Sequence, residues 1–409
     1  MKIAIVTHSF DSRLSGAVGV AYDLARLLKE SGHDISVFTG GEKEGWSEIG
    51  GLKIFSVKLP EYRWIFRAYI ALRNYAVEKK FREFLMASNS DIVHFNNIYY
   101  TIPFSLIKIA KKEFGGKVFY TAHDSMLISQ QKLYHFIDGC YDLKNINRVD
   151  YHLSLWEQLR QNGKAWNPLR NFFIRRYLSY VDKVIAVSNE LKKALEQNGI
   201  GNVAVVYNGI DVERWSASPT ELEPLIKKYR LDGKKVILFA GRLSYQKGVE
   251  ATLQALRLVV DAVPEAVLFV VGSGYEYASG LIDKLGLRDN IVLAGSVSRE
   301  EMRLYYHLSD AVIMPSLCLE TFGMVALEAM ACSKPVIGTV FGGVREVVQD
   351  GVTGYIVNPL RTKDFADKMI ALLANPKHAQ TLGEAGRDRA HREFSLDRQM
   401  KEYLSYFNY

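Results

Sequence analysis

Residues 311–331, "AVIMPSLCLETFGMVALEAMA", pass from an apolar strand to an apolar helix through a loop that carries an acid at its end. The β-branched run at 311–316 reads as a buried strand, and the Met-, Ala- and Leu-rich run that follows Gly323 reads as a helix. A helix that begins there leaves its first backbone N–H groups unpaired and offers partial positive charge to an anion such as a diphosphate. Glu320 stands just before that helix, and Glu328 about five residues into it, roughly 7–8 Å along the axis at ~1.5 Å per residue. Carboxylates accept paired hydroxyls well, so two of them at this spacing suit one elongated ligand with hydroxyl-bearing groups at both ends and an anion between.

The same alternation of short apolar strand, loop and helix extends in both directions along the 409 residues. In the first half the strands are read at 3–8, 35–40, 92–95, 118–122 and 183–188, and in the second at 236–241, 267–272, 291–295, 311–316, 335–339 and 355–357. Strands alternating with helices imply parallel sheets wrapped on both faces, and a prior of about 150 residues per domain asks for two or three domains. The fold class is therefore α/β with two doubly wound sheets. The seam is expected after "AVVYNGID" (204–211), where Pro219, Pro224 and a run of charges replace the strand pattern. Ligands of open α/β sheets bind beyond the carboxyl ends of the strands. Gly16, His123, Ser188, Arg242, Gly272, Val297 and Glu320 each follow a strand end.

The E-x7-E spacing of Glu320 and Glu328 resembles that of retaining glycosyltransferases of the GT-B fold, family 4-like, in which two Rossmann-like domains face across a donor-binding cleft. Further pieces stand in family order: Gly16, "TAHD" (121–124), "AVSNELKKAL" (186–195), "YNGID" (207–211), "AGRLSYQKG" (240–248), "VVGSG" (270–274), "GSVSREEM" (295–302) and "GGVREVV" (342–348). The resemblance implies a first domain of residues 1–207, joined by the C-terminal helix 394–409, that meets the acceptor. Residues 208–393 would form the domain that binds the nucleotide sugar.

It also implies roles. Arg242 and Lys247 of "GRLSYQKG" would grip the diphosphate, the guanidinium as a planar fork and the ammonium as a point charge. Glu328 would accept from the ribose and Glu320 from the transferred sugar. The N–H groups of Phe322, Gly323, Met324 and Val325 would complete the cradle, with Gly272 and Val297 bordering the base. Gly16 would admit the backbone to the phosphate, although Ser15 fills the first place of the family's usual glycine pair. His123 would lie against the donor sugar near the reacting carbon, with Asp124 setting its tautomer or facing the acceptor. Gly342, Gly343 and Glu346 would shape the same cleft. The implied activity is transfer of a hexosyl group from a nucleoside-diphosphate sugar, UDP-linked first and GDP-linked second, to a glycan, lipid-linked or small-molecule acceptor with retention. The favoured route is front-face attack; a double displacement would need Glu320 beneath C1. A nucleotide-sugar epimerase and a non-catalytic scaffold of the same fold are the alternatives, and the full set of motif residues argues against both.

No D-x-D pair and no CxxC occurs, so no metal ligand set and no cofactor is expected. Cys140, Cys318 and Cys332 give no disulfide framework, which points to a reducing cytosol. "MKIAIVTHSF" reads as a strand rather than a secretion signal, and no window has the ~20 apolar residues of a membrane span. Of the +7 net charge, residues 1–200 carry +8 and residues 201–409 carry −1. No nucleic-acid module accompanies that basic half. An anionic acceptor or the inner face of a membrane is the expected partner, and "YRWIFRAYIALRNYAVEKKFREFL" (62–85) is read as one interfacial helix mixing basic residues with Trp64, Phe66, Tyr69 and Phe81. The stretch 125–178, rich in Tyr, Asn, Gln and Trp, suits carbohydrate or ordinary packing equally.

Overall fold

The computed structural model describes residues 1–11, 16–59, 61–130 and 150–408. Ser15 and Cys140 lie outside the described residues, as does 131–149 of the stretch noted above. The chain divides into two compact units. One takes its described residues from Met1–Lys132, Asp150–Tyr207 and Leu396–Tyr409, the other from Asn208–Ser395.

The first unit is built on β1 (Lys2–Thr7), β2 (Asp34–Gly41), β3 (Gly45–Ile49), β4 (Leu52–Lys58), β5 (Ile92–Asn96), β6 (Lys117–Ala122), β7 (Lys183–Ala186) and β8 (Val203–Val205), in the order β3-β4-β2-β1-β5-β6-β7-β8. Neighbours pair in parallel except β3 and β4, which form an antiparallel hairpin. Strands β3, β4 and β8 are additions to the five read from the sequence. The hairpin turns at Gly50 and Gly51, whose φ values of 58° and 75° are the paired left-handed conformations that a tight hairpin requires. Strand order reverses between β1 and β5, so the loops after these two strands flank a switch point.

The second unit carries β9 (Lys235–Ala240), β10 (Ala266–Val271), β11 (Ile291–Gly295), β12 (Ala311–Met314), β13 (Val336–Thr339) and β14 (Gly354–Val357), all parallel, in the order β11-β10-β9-β12-β13-β14. Counted along the chain this is the 3-2-1-4-5-6 order of a dinucleotide-type sheet, with its switch point between β9 and β12. The central strands are buried on both faces, so they read as continuous apolar runs. Ile237, Phe239, Leu268, Val270 and Ile313 meet Leu253, Leu256 and Phe365 of the covering helices in one core.

The helix Leu396–Phe407 returns to the first unit, where Tyr403 and Phe407 are buried with Ile3, Ile5, Leu24 and Phe119. The rings of Phe407 and Phe119 lie 4.9 Å apart. Residues 62–85 correct the sequence reading: they are not one helix. A 3-10 turn at Trp64–Phe66 leads into a short helix Arg67–Ile70, and a separate helix begins at Tyr75. Asn74 causes the break. Its side chain accepts from the Val77 N–H at 3.3 Å, so it caps the new helix instead of continuing the old one. On that second helix Phe81 is buried against Phe38, Phe84 and Phe95, whereas Trp64, Phe66 and Tyr69 are exposed. Among the described residues, no helix is long and apolar enough to cross a membrane.

Candidate functional site

The two loops that flank the β9/β12 switch point are fastened together by a missing side chain. Gly248 follows Lys247 with φ 72°, and a Cβ at this position would overlap the Pro315 carbonyl oxygen. Only glycine permits so close an approach in that conformation. The Leu317 N–H donates to the Gln246 carbonyl at 2.8 Å beside it. This contact sets Lys247 against the acid that follows β12, and Lys247 Nζ lies 2.7 Å from Glu320 Oε2. Ser316 Oγ donates to the same oxygen at 2.9 Å. Burial lowers the Lys247 pKa, but the charge of Glu320 and the hydrogen bond outweigh it and leave the ammonium above its ordinary value. Lys247 is therefore a fixed cation at neutral pH.

Glu320 is gripped from its other side by the loop after β13. The Gly343 N–H donates to the Glu320 carbonyl at 2.6 Å, and a Cβ on Gly342, at φ 98°, would overlap the backbone of Glu320. The motif "FGGVRE" thus holds the acid by its main chain. Phe322 is buried with its ring 5.9 Å from Phe394, and Gly323, at φ 106°, caps the helix Met324–Ala331. Met324 and Val325 form the first turn, whose N–H groups have no carbonyl four residues back within the helix.

Glu328, one turn further on, is 3% exposed, and the Tyr306 phenol donates to its Oε2 at 2.7 Å. Burial foremost, and then the neighbouring carboxylate, push the Tyr306 pKa well up, so it stays a donor. Arg242 is exposed on the loop after β9. Gly272 lies so close to Gly241 that a Cβ would overlap its carbonyl oxygen, which joins the loops after β9 and β10. Val297 is half-buried, immediately before Ser298, which closes a capping box with Glu301. Cys318 is buried, and its thiol is pushed up to about 12, chiefly by that burial.

On the first unit, Gly16 precedes the helix Ala17–Glu30 with φ 70°, and its carbonyl accepts from the Val20 N–H at 3.0 Å. His123 follows β6 and is 7% exposed, with its Nε2 3.2 Å from Asn96 Oδ1 at the end of β5. Burial holds its pKa at about 4, so the imidazole is neutral at physiological pH. Asp124 Oδ1 accepts from the Met126 N–H at 2.9 Å, and Ser188 Oγ accepts from the Leu191 N–H at 3.0 Å. Among the described residues, no group of three His, Cys, Asp or Glu side chains is placed to hold a metal ion.

The structure therefore joins Lys247, Glu320 and the start of the helix Met324–Ala331 on one unit, with Glu328 one turn into that helix and Arg242, Gly272 and Val297 on adjoining elements. Ser316, Tyr306 and Asn96 are functional candidates that sequence reasoning passed over. Ser316 stands inside the motif segment four residues before Glu320 and had a local signal. Tyr306 and Asn96 reach their partners from elements 22 and 27 residues away, and nothing in their own sequence announces it.

Comparison with known proteins follows the same two units. The model of Glycosyltransferase Family 4 matches residues 14–214, and that of Glycosyl transferases group 1 matches residues 223–389. An uncharacterised glycosyltransferase of Methanocaldococcus jannaschii is 30% identical over 262 residues, which span 62% of this chain and 68% of that protein. N-acetyl-alpha-D-glucosaminyl L-malate synthase of Bacillus anthracis is 26% identical over 98% of this chain and 96% of its own length. In fold, Anabaena HepE, solved in complex with UDP and glucose, superposes with a TM-score of 0.73 at 19% identity, over 100% of this chain and 99% of that one. That likeness is of the GT-B fold.

Proposed function

This chain belongs to the family 4 glycosyltransferases, and on that premise we propose that it moves a hexosyl group from a nucleoside-diphosphate sugar to an acceptor with retention of anomeric configuration. The observation that carries this reading is the Lys247–Glu320 pair at 2.7 Å, set beside the open end of the helix Met324–Ala331 at a switch point. A fixed ammonium, an exposed guanidinium at Arg242 and unpaired N–H groups suit the negative charge that grows on a departing diphosphate. Glu320 then has one oxygen held by Lys247 and Ser316 and another for a sugar hydroxyl. Glu328 is assigned to the ribose, and Gly272 and Val297 to the surroundings of the base.

The bond from C1 to the diphosphate oxygen breaks, and a bond from C1 to the acceptor oxygen forms on the same face. The acceptor proton passes to a donor phosphate oxygen. No protein nucleophile is needed for this route. Neutral His123 is assigned to a sugar hydroxyl, and its link to Asn96 fixes the ring's orientation. We assign the leaving-group charge to Lys247, Arg242 and the helix start rather than to a divalent ion. A UDP-sugar is the first donor to try and a GDP-sugar the second. A glycan, lipid-linked or small-molecule acceptor, used in the cytoplasm, fits the basic first half of the chain.

The test is thermal stabilisation by UDP-, GDP- and ADP-sugars, then assignment of the product anomer by NMR. A good donor at one hundred times its Kd should stabilise by about 2.7 kcal/mol. No shift with any nucleotide sugar would remove the proposal, and an inverted anomer would remove retention. Turnover restored only by Mg²⁺ or Mn²⁺ after chelation would show that an ion shares the diphosphate.

A further inference from the structure

We infer that one face of the first unit docks on an anionic lipid bilayer, through aromatic side chains supplied by two segments about ninety residues apart in sequence. The first segment is the turn Trp64–Phe66 with the short helix after it, where Trp64 is 60% exposed, Phe66 49% and Tyr69 53%. That turn packs against a second 3-10 turn, Gly163–Ala165. The second turn joins two helices, Leu155–Asn162 and Arg170–Leu178, which are tied to each other by the Asn171 amide donating to Gln158 Oε1 at 3.2 Å. The five elements thus form one continuous surface.

Both helices turn apolar side chains outward. Leu169, Phe172 and Phe173 are exposed, and with exposed Arg176 they occupy positions i, i+3, i+4 and i+7. Arg170, Ile174 and Leu178 are buried on the other side of the same helix. A helix that only covers the sheet would place its apolar stripe inward. On the neighbouring helix Trp156 is 70% exposed and lies one turn before exposed Arg160, with exposed Lys164 a further turn on. Trp and Tyr beside Lys and Arg are what the headgroup region of a bilayer accepts: the rings enter the boundary while the cations meet lipid phosphates.

Charge selects the occupant. Arg63, Arg160, Lys164 and Arg175 are exposed on these elements. The acids there are exposed Glu61 and half-buried Glu157, and the latter is engaged in the capping box of Ser154. A second copy of the chain would bring the same excess of positive charge to the same face and repel it, whereas an anionic lipid surface neutralises it. This face is not the interfacial helix expected at 62–85, since Asn74 ends that element and Phe81 is buried.

The test is co-sedimentation of the full chain with phosphatidylcholine vesicles and with vesicles of about one third phosphatidylglycerol, at about 50 mM and about 500 mM salt. Binding is expected to the anionic vesicles at low salt, and to weaken at least tenfold in high salt. Trp64→Ser with Phe172→Ser, and separately Arg160→Glu with Lys164→Glu, should each weaken partition roughly tenfold. Lys227→Glu with Lys228→Glu, on the second unit, should not. All these side chains are exposed, so melting temperatures should stay near wild type and a folding defect would be seen directly. Absence of binding at low salt, or binding indifferent to the first two pairs, overturns the inference. So does concentration-dependent self-association in sedimentation velocity that those same substitutions abolish, because a second copy would then cover the face.

Discussion

Gly248 lies against the Pro315 carbonyl so closely that no side chain fits between them, and this one approach carries Lys247 to Glu320. The glycine conserves a distance between two loops rather than a flexible turn. Gly248→Ala meets two costs at once, a β-carbon at φ 72° and an overlap with backbone that cannot rotate away. The expected result is a stability loss on the order of 2–4 kcal/mol by urea unfolding, together with turnover below a tenth of wild type. Near-normal stability and turnover would show that the loops do not depend on this contact.

Lys247→Ala removes the fixed cation and leaves the Glu320 carboxylate held by Ser316 alone among the side-chain partners described above. If the ammonium stabilises charge that develops as the diphosphate leaves, turnover should fall about 10²–10³-fold while the affinity for free nucleoside changes little. Glu320→Gln should also reduce turnover and change which sugar is accepted. Steady-state kinetics with several donors read both effects. A Lys247→Ala enzyme within twofold of wild type would take this lysine out of the reaction.

Tyr306→Phe deletes the phenol that donates to Glu328 and leaves the packing of its ring against Trp215 in place. A carboxylate that is 3% exposed then loses this donor, which costs about 1–3 kcal/mol of stability or of ligand affinity. We expect KM for the donor to rise at least threefold, with a smaller change in kcat. The reverse pattern would move Glu328 from binding to the chemical step.

The parts of the fold that the sequence announces are those with a local physical signature. Strands β9, β10, β12 and β13 are covered on both faces, so each is an apolar run bounded by turn residues. Glu320, Lys247 and Gly248 are recognisable because backbone geometry fixes their spacing along two short loops. Strand β3 is the outermost strand of its sheet with four of its five residues exposed, and "GWSEI" carries no apolar period, although Gly50-Gly51 after it is a hairpin signal. The misreading of 62–85 has a similar origin. Helical spacing of apolar residues continues across Asn74, and only the capping tendency of that asparagine marks the break. Tyr306, Asn96 and the aromatic face at 64–69 and 155–173 depend on meetings of distant segments, which composition and period do not encode.

Two buried histidines of the first unit make its stability depend on pH in a window where ordinary carboxylates do not yet titrate. His94 on β5 is fully buried, with Nε2 2.8 Å from Thr121 Oγ1, which in turn lies 3.0 Å from the Tyr403 hydroxyl of the C-terminal helix. Burial first, and the neighbouring His123 second, hold the His94 pKa at about 3, and burial holds His123 at about 4. In the unfolded chain both take a proton near 6.5. Above that value neither state is protonated and the contribution to stability is complete. As pH falls below about 6.5 the unfolded chain binds protons that the folded one refuses, so stability drops, by up to about 1.4 kcal/mol per pH unit for each histidine, until the folded groups titrate. The unfolding midpoint in urea should therefore fall between pH 6.5 and 5. His33 and His307 are also lowered by burial and add to the slope, so the slope alone does not identify the source. His94→Gln supplies the identification. It should be less stable than wild type at pH 7, because Thr121 loses the imidazole it bonds and Tyr403 loses the ring packed 5.1 Å from its own, yet show a shallower decline toward pH 5. An unchanged slope in this variant would mean that His94 is protonated as readily in the folded chain as in the unfolded one, and that its burial does not govern the acid limb.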